Sequence, residues 1–116
     1  MNVEKLVVSW LGEHCGVPVY GEVPSEDEKP HGVFVTVERT GGAFGKDGID
    51  RSMIAVQCWA RSMVDASELA GKVASLAGSI EDEPDVAECS VNSLHRHPTA
   101  KKEPRYQVVL DMAVYV

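Results

Sequence analysis

The chain has 116 residues, of which 44% are hydrophobic and 25% charged, and its formal net charge is −7. A chain of this size is predicted to form one domain over residues 1–116 with a single core. The acidic balance argues against a general nucleic-acid binder, because phosphate contacts need clustered lysines and arginines. No run approaches the ~20 apolar residues of a membrane span, and the first residues lack the pattern of a signal peptide.

The N-terminal segment has apolar residues at helical spacing, which predicts a short amphipathic helix over residues 3–11. Asn2 is available as its N-cap, and Gly12 is placed near its end. Residues 17–20 favour a short strand, which Pro18 restricts to a sheet edge or a strand start.

Two connections flank the first clear strand. Residues 21–32 contain two prolines and an acidic run, which indicate a loop, and residues 33–39 alternate as a strand does. Residues 40–50 contain four glycines in eleven positions, which predicts a mobile connection rather than a regular element. Because it is longer than a usual hairpin loop, a functional role is expected for it.

Within residues 51–80 the spacing of the apolar residues changes from a period of two, typical of a strand, to a period of 3.6, typical of a helix. Ile54, Val56 and Cys58 alternate as in a strand. Ser62 is a plausible N-cap, and Asp65 lies three residues after it. Beyond Ser62 the small and apolar residues form one stripe along a helix. The stripe consists of Ala66, Leu69, Ala70, Val73, Leu76, Ala77 and Ile80. We expect this helix to pack on a sheet that contains the preceding strand.

The C-terminal third predicts a long hairpin. Residues 86–95 form a strand candidate, residues 97–104 a turn, and residues 105–116 a second strand with good alternation. Acidic and proline residues at 81–85 end the helix before it. The predicted fold class is therefore α+β, a mostly antiparallel sheet of about five strands with two helices packed on it.

The motifs of the common enzyme classes are missing. The sequence has no P-loop, GxSxG, HExxH or dinucleotide-binding fingerprint. The three cysteines, Cys15, Cys58 and Cys89, form no CxxC pair and favour free thiols over a disulfide or zinc framework. We expect a protein without enzymatic activity, cofactor or metal.

His95 and His97 suggest an alternative to a structural protein, namely a small metal- or ligand-binding domain. Two histidines at i and i+2 on a strand point to one face, and Cys89 or His31 could complete a metal site. The neighbouring cations repel a divalent metal, so an exposed hairpin end is the favoured interpretation.

The charge is distributed unevenly. Residues 96–105 carry four bases and one acid, a formal charge of +3, so that the rest of the chain carries −10. The acidic runs 26–28 and 81–83 are the obvious complements of this basic segment, and solvated faces within one monomer are their default interpretation. In a closed ring, the basic segment of one subunit could meet an acidic loop of the next, a heterologous contact.

The order of these segments resembles the small tail terminator or tail completion proteins of long-tailed bacteriophages, which include the head-to-tail joining group. The resemblance spans nearly the whole chain. It rests on residues 35–42 (VTVERTGG), Asp50, residues 56–62 (VQCWARS), Ala66, residues 69–70 and residues 104–106 (PRY).

The resemblance implies a non-enzymatic structural protein of the virion tail, assembled in the host cytoplasm. Such proteins form a ring, commonly a hexamer, that ends the tail tube and faces the head connector, and DNA passes through the lumen without specific binding. A head-closure or connector role in the same region is the nearest alternative. Trp59 is then a core residue or an interface anchor. The residues expected at interfaces are Gly41, Gly42, Phe44, Lys46, Asp50, Arg96, Lys101, Lys102 and Arg105.

Overall fold

The computed structural model describes residues 2–25 and 32–116, without the side chain of Phe44. The acidic run 26–28 and His31 lie outside the described residues. In chain order, the described elements are helix α1 (Val3–His14), strands β1 (Val19–Tyr20), β2 (Phe34–Phe44) and β3 (Ile49–Trp59), helix α2 (Met63–Ala77), a 3-10 turn (Gly78–Asp82), and strands β4 (Val86–Arg96) and β5 (Arg105–Tyr115).

The strands form one five-stranded sheet in the order β1-β2-β3-β5-β4. Strand β1 lies parallel to β2, and the three remaining pairings are antiparallel. This confirms the predicted α+β class, with β1 at a sheet edge as the proline predicts. The predicted C-terminal hairpin is also confirmed.

Both described helices pack on one face of this sheet. The apolar stripe of α2 supplies Leu69, Ala70 and Val73 to a core that also contains Val7 and Leu11 of α1. The facing strand positions alternate as predicted, with Val35, Val37, Ile54, Val56, Val108, Leu110 and Val114 buried among them. The alanines of α2 let its backbone approach the strands closely.

The start of α2 is fixed by the side chain of Ser62. Its Oγ accepts a hydrogen bond from the Asp65 backbone N–H at 3.1 Å, which satisfies one of the unpaired amides of the first turn. We expect Ser62→Ala to lower the free energy of unfolding by about 1 kcal/mol. Urea unfolding measures this, with Ser62→Asp as the control that retains a capping oxygen. Equal losses in both variants would contradict the assignment.

The end of α1 differs from the prediction. The helix continues through Gly12 to His14, and the Cys15 N–H then donates to the Leu11 carbonyl. Gly16, at a φ of +80°, provides the left-handed residue that follows. Among the described residues, no helix has the length and apolar character that spanning a membrane requires.

The prediction of a mobile connection over residues 40–50 is wrong. Strand β2 continues to Phe44 and β3 begins at Ile49, so only four residues connect them, and the Gly45 N–H closes this turn on the Ile49 carbonyl at 2.9 Å. The pairing register shifts between Arg39 and Gly41, which marks a β-bulge. At Gly42 the backbone of β3 approaches too closely for a side chain, so this glycine serves the paired strands rather than a flexible loop.

Candidate assembly surfaces

The sheet has a second face, opposite the helices, which we call the helix-free face. Its strand residues are those that alternate with the core positions. Gln57, Gln107 and His95 form a row across three strands here. The Gln57 amide donates to the Gln107 carbonyl oxygen, and Gln107 Nε2 lies 3.3 Å from His95 Nε2. This polar row contrasts with the apolar helix-bearing face.

Residues 96–105, which we call the basic turn, connect β4 to β5. The His97 N–H donates to the Arg105 carbonyl at 2.9 Å, and Arg105 Nε donates back to the His97 carbonyl at 2.7 Å. The Lys102 N–H donates to the Thr99 carbonyl at 2.8 Å. These bonds hold the turn in a defined shape and leave Lys101 and Lys102 exposed at its tip.

Arg105 is half-buried at the base of the basic turn. Its guanidinium lies 4.9 Å from the ring centre of Trp59, and burial lowers its pKa, which the charges of Glu103 and Glu38 partly offset. Trp59 is itself buried, stacks on Phe34 and donates from Nε1 to Thr36 Oγ1 at 3.2 Å. Of the two interpretations of Trp59, this packing favours a core residue, on the face away from Cys58.

The metal-site alternative built on Cys89 is contradicted by the structure. The rings of His95 and His97 do lie together, with centroids 5.8 Å apart. Cys89, however, is buried in the core on the helix side, opposite Met112. His95 pairs with Gln107, five positions away along β5, which corresponds to about 17 Å. No group of three potential metal ligands occurs within residues 2–25 and 32–116.

His97 has a lowered pKa. Burial is the largest cause, followed by the positive charges of Arg105 and His95. The neutral ring is thus favoured at this position, and the basic turn takes its positive charge from Arg96, Lys101, Lys102 and Arg105.

The predicted interface residues near the other end of the sheet have different environments. Gly41 and Gly42 lie within β2, Phe44 pairs with Asp50 through the backbone, and Lys46 is exposed in the turn. Asp50 is buried, and its carboxylate accepts from Arg39 Nη1 at 2.7 Å and from Nη2 at 2.8 Å. Asp50 therefore already has a partner within its own chain.

Arg39 ties this end of the sheet to helix α1. Its backbone N–H donates to the Glu4 carboxylate at 3.2 Å, and its Nε donates to the Gly41 carbonyl at 3.2 Å. The hydrogen bond to Asp50, with the charges of Asp50 and Glu4, raises the Arg39 pKa against the effect of burial. The ion pair joins the bulge to β3, and the backbone hydrogen bond to Glu4 joins the bulge to the start of α1.

A cavity of about 490 Å³ lies on the helix-free face at this same end. Met53, Asp111 and Ala113 contribute to its lining, and Glu88 and Arg51 flank it. Arg51 pairs with Asp47 at 2.9 Å, and this hydrogen bond raises the Arg51 pKa, as does the charge of Glu88 to a lesser degree. Because Asp47 neutralises Arg51, Glu88 and Asp111 leave the cavity acidic.

Sequence reasoning missed this acidic cavity. Its residues come from four strands, β2 to β5, and are distant in the chain. One signal was present: Met53 and Asp111 occupy strand positions that alternate with the core positions, and the β3–β5 pairing puts them opposite each other. Only the pairing register brings them together.

No family model and no curated protein matches the chain. Among solved structures, the chain is similar to one chain of "Virion of native gene transfer agent (GTA) particle". The two share 16% sequence identity with a TM-score of 0.48, and the match covers 91% of this chain and 83% of the other. These values are too low to assign a family or a function.

Proposed function

We propose that this chain is a non-enzymatic structural protein of a phage-like virion. It acts as a tail terminator or completion protein that forms a ring at the head-proximal end of the tail tube. The sequence resemblance over residues 35–42, 56–62 and 104–106 supports this family. The outer edge strand supports an assembly role independently, and this observation carries the proposal.

Strand β4 ends the sheet, so its outer edge has no neighbouring strand among the described elements. It is 11 residues long, and its pairing register with β5 shifts between Val86 and Glu88 and between Val91 and Ser93. The Cys89 N–H already donates to the Glu81 carboxylate at 2.9 Å, so the edge that a partner could use is the segment beyond it. Val91 and Leu94, apolar side chains on this strand, remain 41% and 40% exposed. A long edge with exposed apolar side chains is typical of a surface that another protein covers.

The thiol groups support the absence of nucleophilic chemistry. Cys15, Cys58 and Cys89 are free and buried. Burial raises the pKa of Cys58 and of Cys89 to about 12, which keeps both protonated near neutral pH. Because the thiolate is the reactive form, Cys58 and Cys89 are inert core residues.

In this proposal the ring contains six copies, and its partners are the tail tube protein and the head connector. The sheet gives each subunit a rigid frame, and the exposed turns at its two ends reach neighbouring proteins. The net charge of −7 suits a lumen through which DNA must pass without adhering.

Polymerisation of the tail tube protein from the same phage-like element tests the proposal. We expect addition of this chain to give short tubes with a ring at one end, seen by negative-stain electron microscopy. Leu94→Lys should weaken this capping, because it puts a charge on the exposed edge strand. Ser75→Lys, at an exposed position of α2, is the matched control and should cap normally.

Tubes of unaltered length without terminal rings would contradict the terminator role. Binding to the isolated connector rather than to the tube would replace it with the head-closure role.

A further inference from the structure

We propose that the basic turn of one copy docks into the acidic cavity of a second copy of this chain. This inference rests on the proposed function, because it names the two surfaces that join neighbouring subunits of the ring. The basic turn comprises residues 96–105, and Glu88 and Asp111 mark the acidic cavity.

The two surfaces lie at opposite ends of the sheet. Strand β5 starts at Arg105, beside the basic turn, and its residues 111–113 line the cavity. From Arg105 to Asp111 the strand advances about 20 Å, so the turn of a chain cannot reach its own cavity. Complementary surfaces at opposite ends of one molecule produce a heterologous, head-to-tail contact. Such contacts give a closed ring where the rotation between neighbouring subunits closes, as the proposed function requires.

The charges of the two surfaces are complementary. The tip of the turn presents Lys101 and Lys102, both exposed. Across the contact, Glu88 and Asp111 supply two carboxylates, and the guanidinium of Arg51 is already engaged by Asp47. Opposite charges steer the encounter and penalise incorrect docking. Because the chain itself carries both complementary surfaces, we take a second copy as the occupant.

The size and the apolar lining of the cavity also suit lysine side chains. Its volume of about 490 Å³ lies within the range of ordinary ligand pockets. Met53, which is 41% exposed, lines it together with Ala43 and Ala113. The methylene stems of the lysines can cover these apolar groups while their ammonium groups reach the carboxylates.

Charge reversal followed by mixing tests the contact. We expect the turn variant (Lys101→Glu with Lys102→Glu) and the cavity variant (Glu88→Lys with Asp111→Lys) each to self-associate about tenfold or more weakly than the wild type. Mixed in equal amounts, the two variants should restore rings of alternating subunits, because each turn then meets a cavity of opposite charge. Sedimentation velocity at low salt measures both effects.

A matched control carries the same change of charge elsewhere. Lys5→Glu with Lys72→Glu reverses two exposed lysines of the helices and should assemble as the wild type does. Restoration on mixing also shows that both variants fold. If each variant forms wild-type rings without being mixed with the other, the proposed contact is overturned, but the proposal that the chain forms a ring still stands. Loss of assembly that mixing does not restore would also overturn it.

Cysteine cross-linking tests the same contact even where the free protein is mostly monomeric. Ala100→Cys places a thiol in the basic turn, and Ala43→Cys places one at the acidic cavity, both at exposed positions. The native cysteines are buried and should not react. Because the two sites are too far apart to join within a chain, mild oxidation of the double variant should give a ladder of oligomers.

Each single-cysteine variant is the control and can give dimers at most. A double variant that also stops at dimers would overturn the inference. The proposed function would still stand if the wild-type chain caps tail tubes, so the two failures can be distinguished. Disulfide cross-links to an added tail tube protein that carries an exposed cysteine, in place of the ladder, would overturn the inference and reassign the basic turn to that partner.

Discussion

Replacement of Gly42 by alanine is expected to lower the free energy of unfolding by about 4 kcal/mol, a large value for a single methyl group. Gly42 has a φ of +114°, in a region of backbone conformation that residues with a side chain rarely adopt. A Cβ atom here would overlap the Arg51 carbonyl oxygen and lie 2.6 Å from Ser52 Cα. Both obstacles are backbone atoms of β3, so relief requires the two strands to separate.

The adjacent glycine provides a matched control. Gly41 lies in the same strand, but its φ is not positive, and an added Cβ would meet nothing within 4 Å. Gly41→Ala should therefore change the stability by less than about 1 kcal/mol, since alanine restricts the unfolded chain more than glycine does. Urea unfolding of both variants measures the difference. Similar losses in the two would show that close backbone approach is not the reason for Gly42.

The second large effect is expected at the Arg39–Asp50 ion pair. The Asp50 carboxylate is 3% exposed and accepts two hydrogen bonds from one guanidinium. Asp50→Asn keeps the shape of the side chain but removes its charge and turns one amide N–H₂ toward a donor. We expect a loss of about 2–3 kcal/mol in the free energy of unfolding, because the two charged hydrogen bonds between Arg39 and the buried carboxylate are lost. Arg39 retains 25% exposure, which limits the loss.

The Arg51–Asp47 pair is the control for this substitution. Its donor and acceptor are 2.9 Å apart, but the two side chains are 56% and 51% exposed. Solvent screens such a pair, so Asp47→Asn should leave the urea midpoint nearly unchanged. The amide oxygen can still accept from the Ile49 N–H, as Asp47 does. Equal effects at positions 47 and 50 would contradict the buried role of Asp50.

Alternation of side chains made most of this fold predictable. Val35 and Val37, like Ile54 and Val56, alternate at period two, because one face of their strands is buried against the helices. Ser62 could be identified as an N-cap because only its side chain, at that place, offers an oxygen to the first turn. The C-terminal hairpin followed from the same reasoning.

The β2–β3 segment could not be predicted because glycine has two opposite uses. A glycine-rich stretch usually forms a loop, yet Gly42 allows two strands to approach closely at a bulge. Which use applies depends on the backbone of Arg51, a long-range partner that composition does not identify.

Of the two candidate surfaces, one could be predicted from the sequence and the other could not. The basic turn is visible in the sequence because Lys101, Lys102 and the flanking arginines are adjacent in the chain. The acidic cavity is not, because Glu88 and Asp111 meet only through the pairing of β4 with β5. The partner of Asp50 was hidden for the same reason, since Arg39 reaches it across the bulge.

The solution mass of the protein tests the ring most directly. Light scattering at low and high salt would be recorded on the chain alone and after mixing with tail tube protein, with metal content read on the same samples. We predict a metal-free ring of six 12.6 kDa chains, alone or on the tube, that loosens as salt screens the contact between the basic turn and the acidic cavity. A monomer under every condition, or a monomer or dimer with one bound metal per chain, would contradict the proposed function.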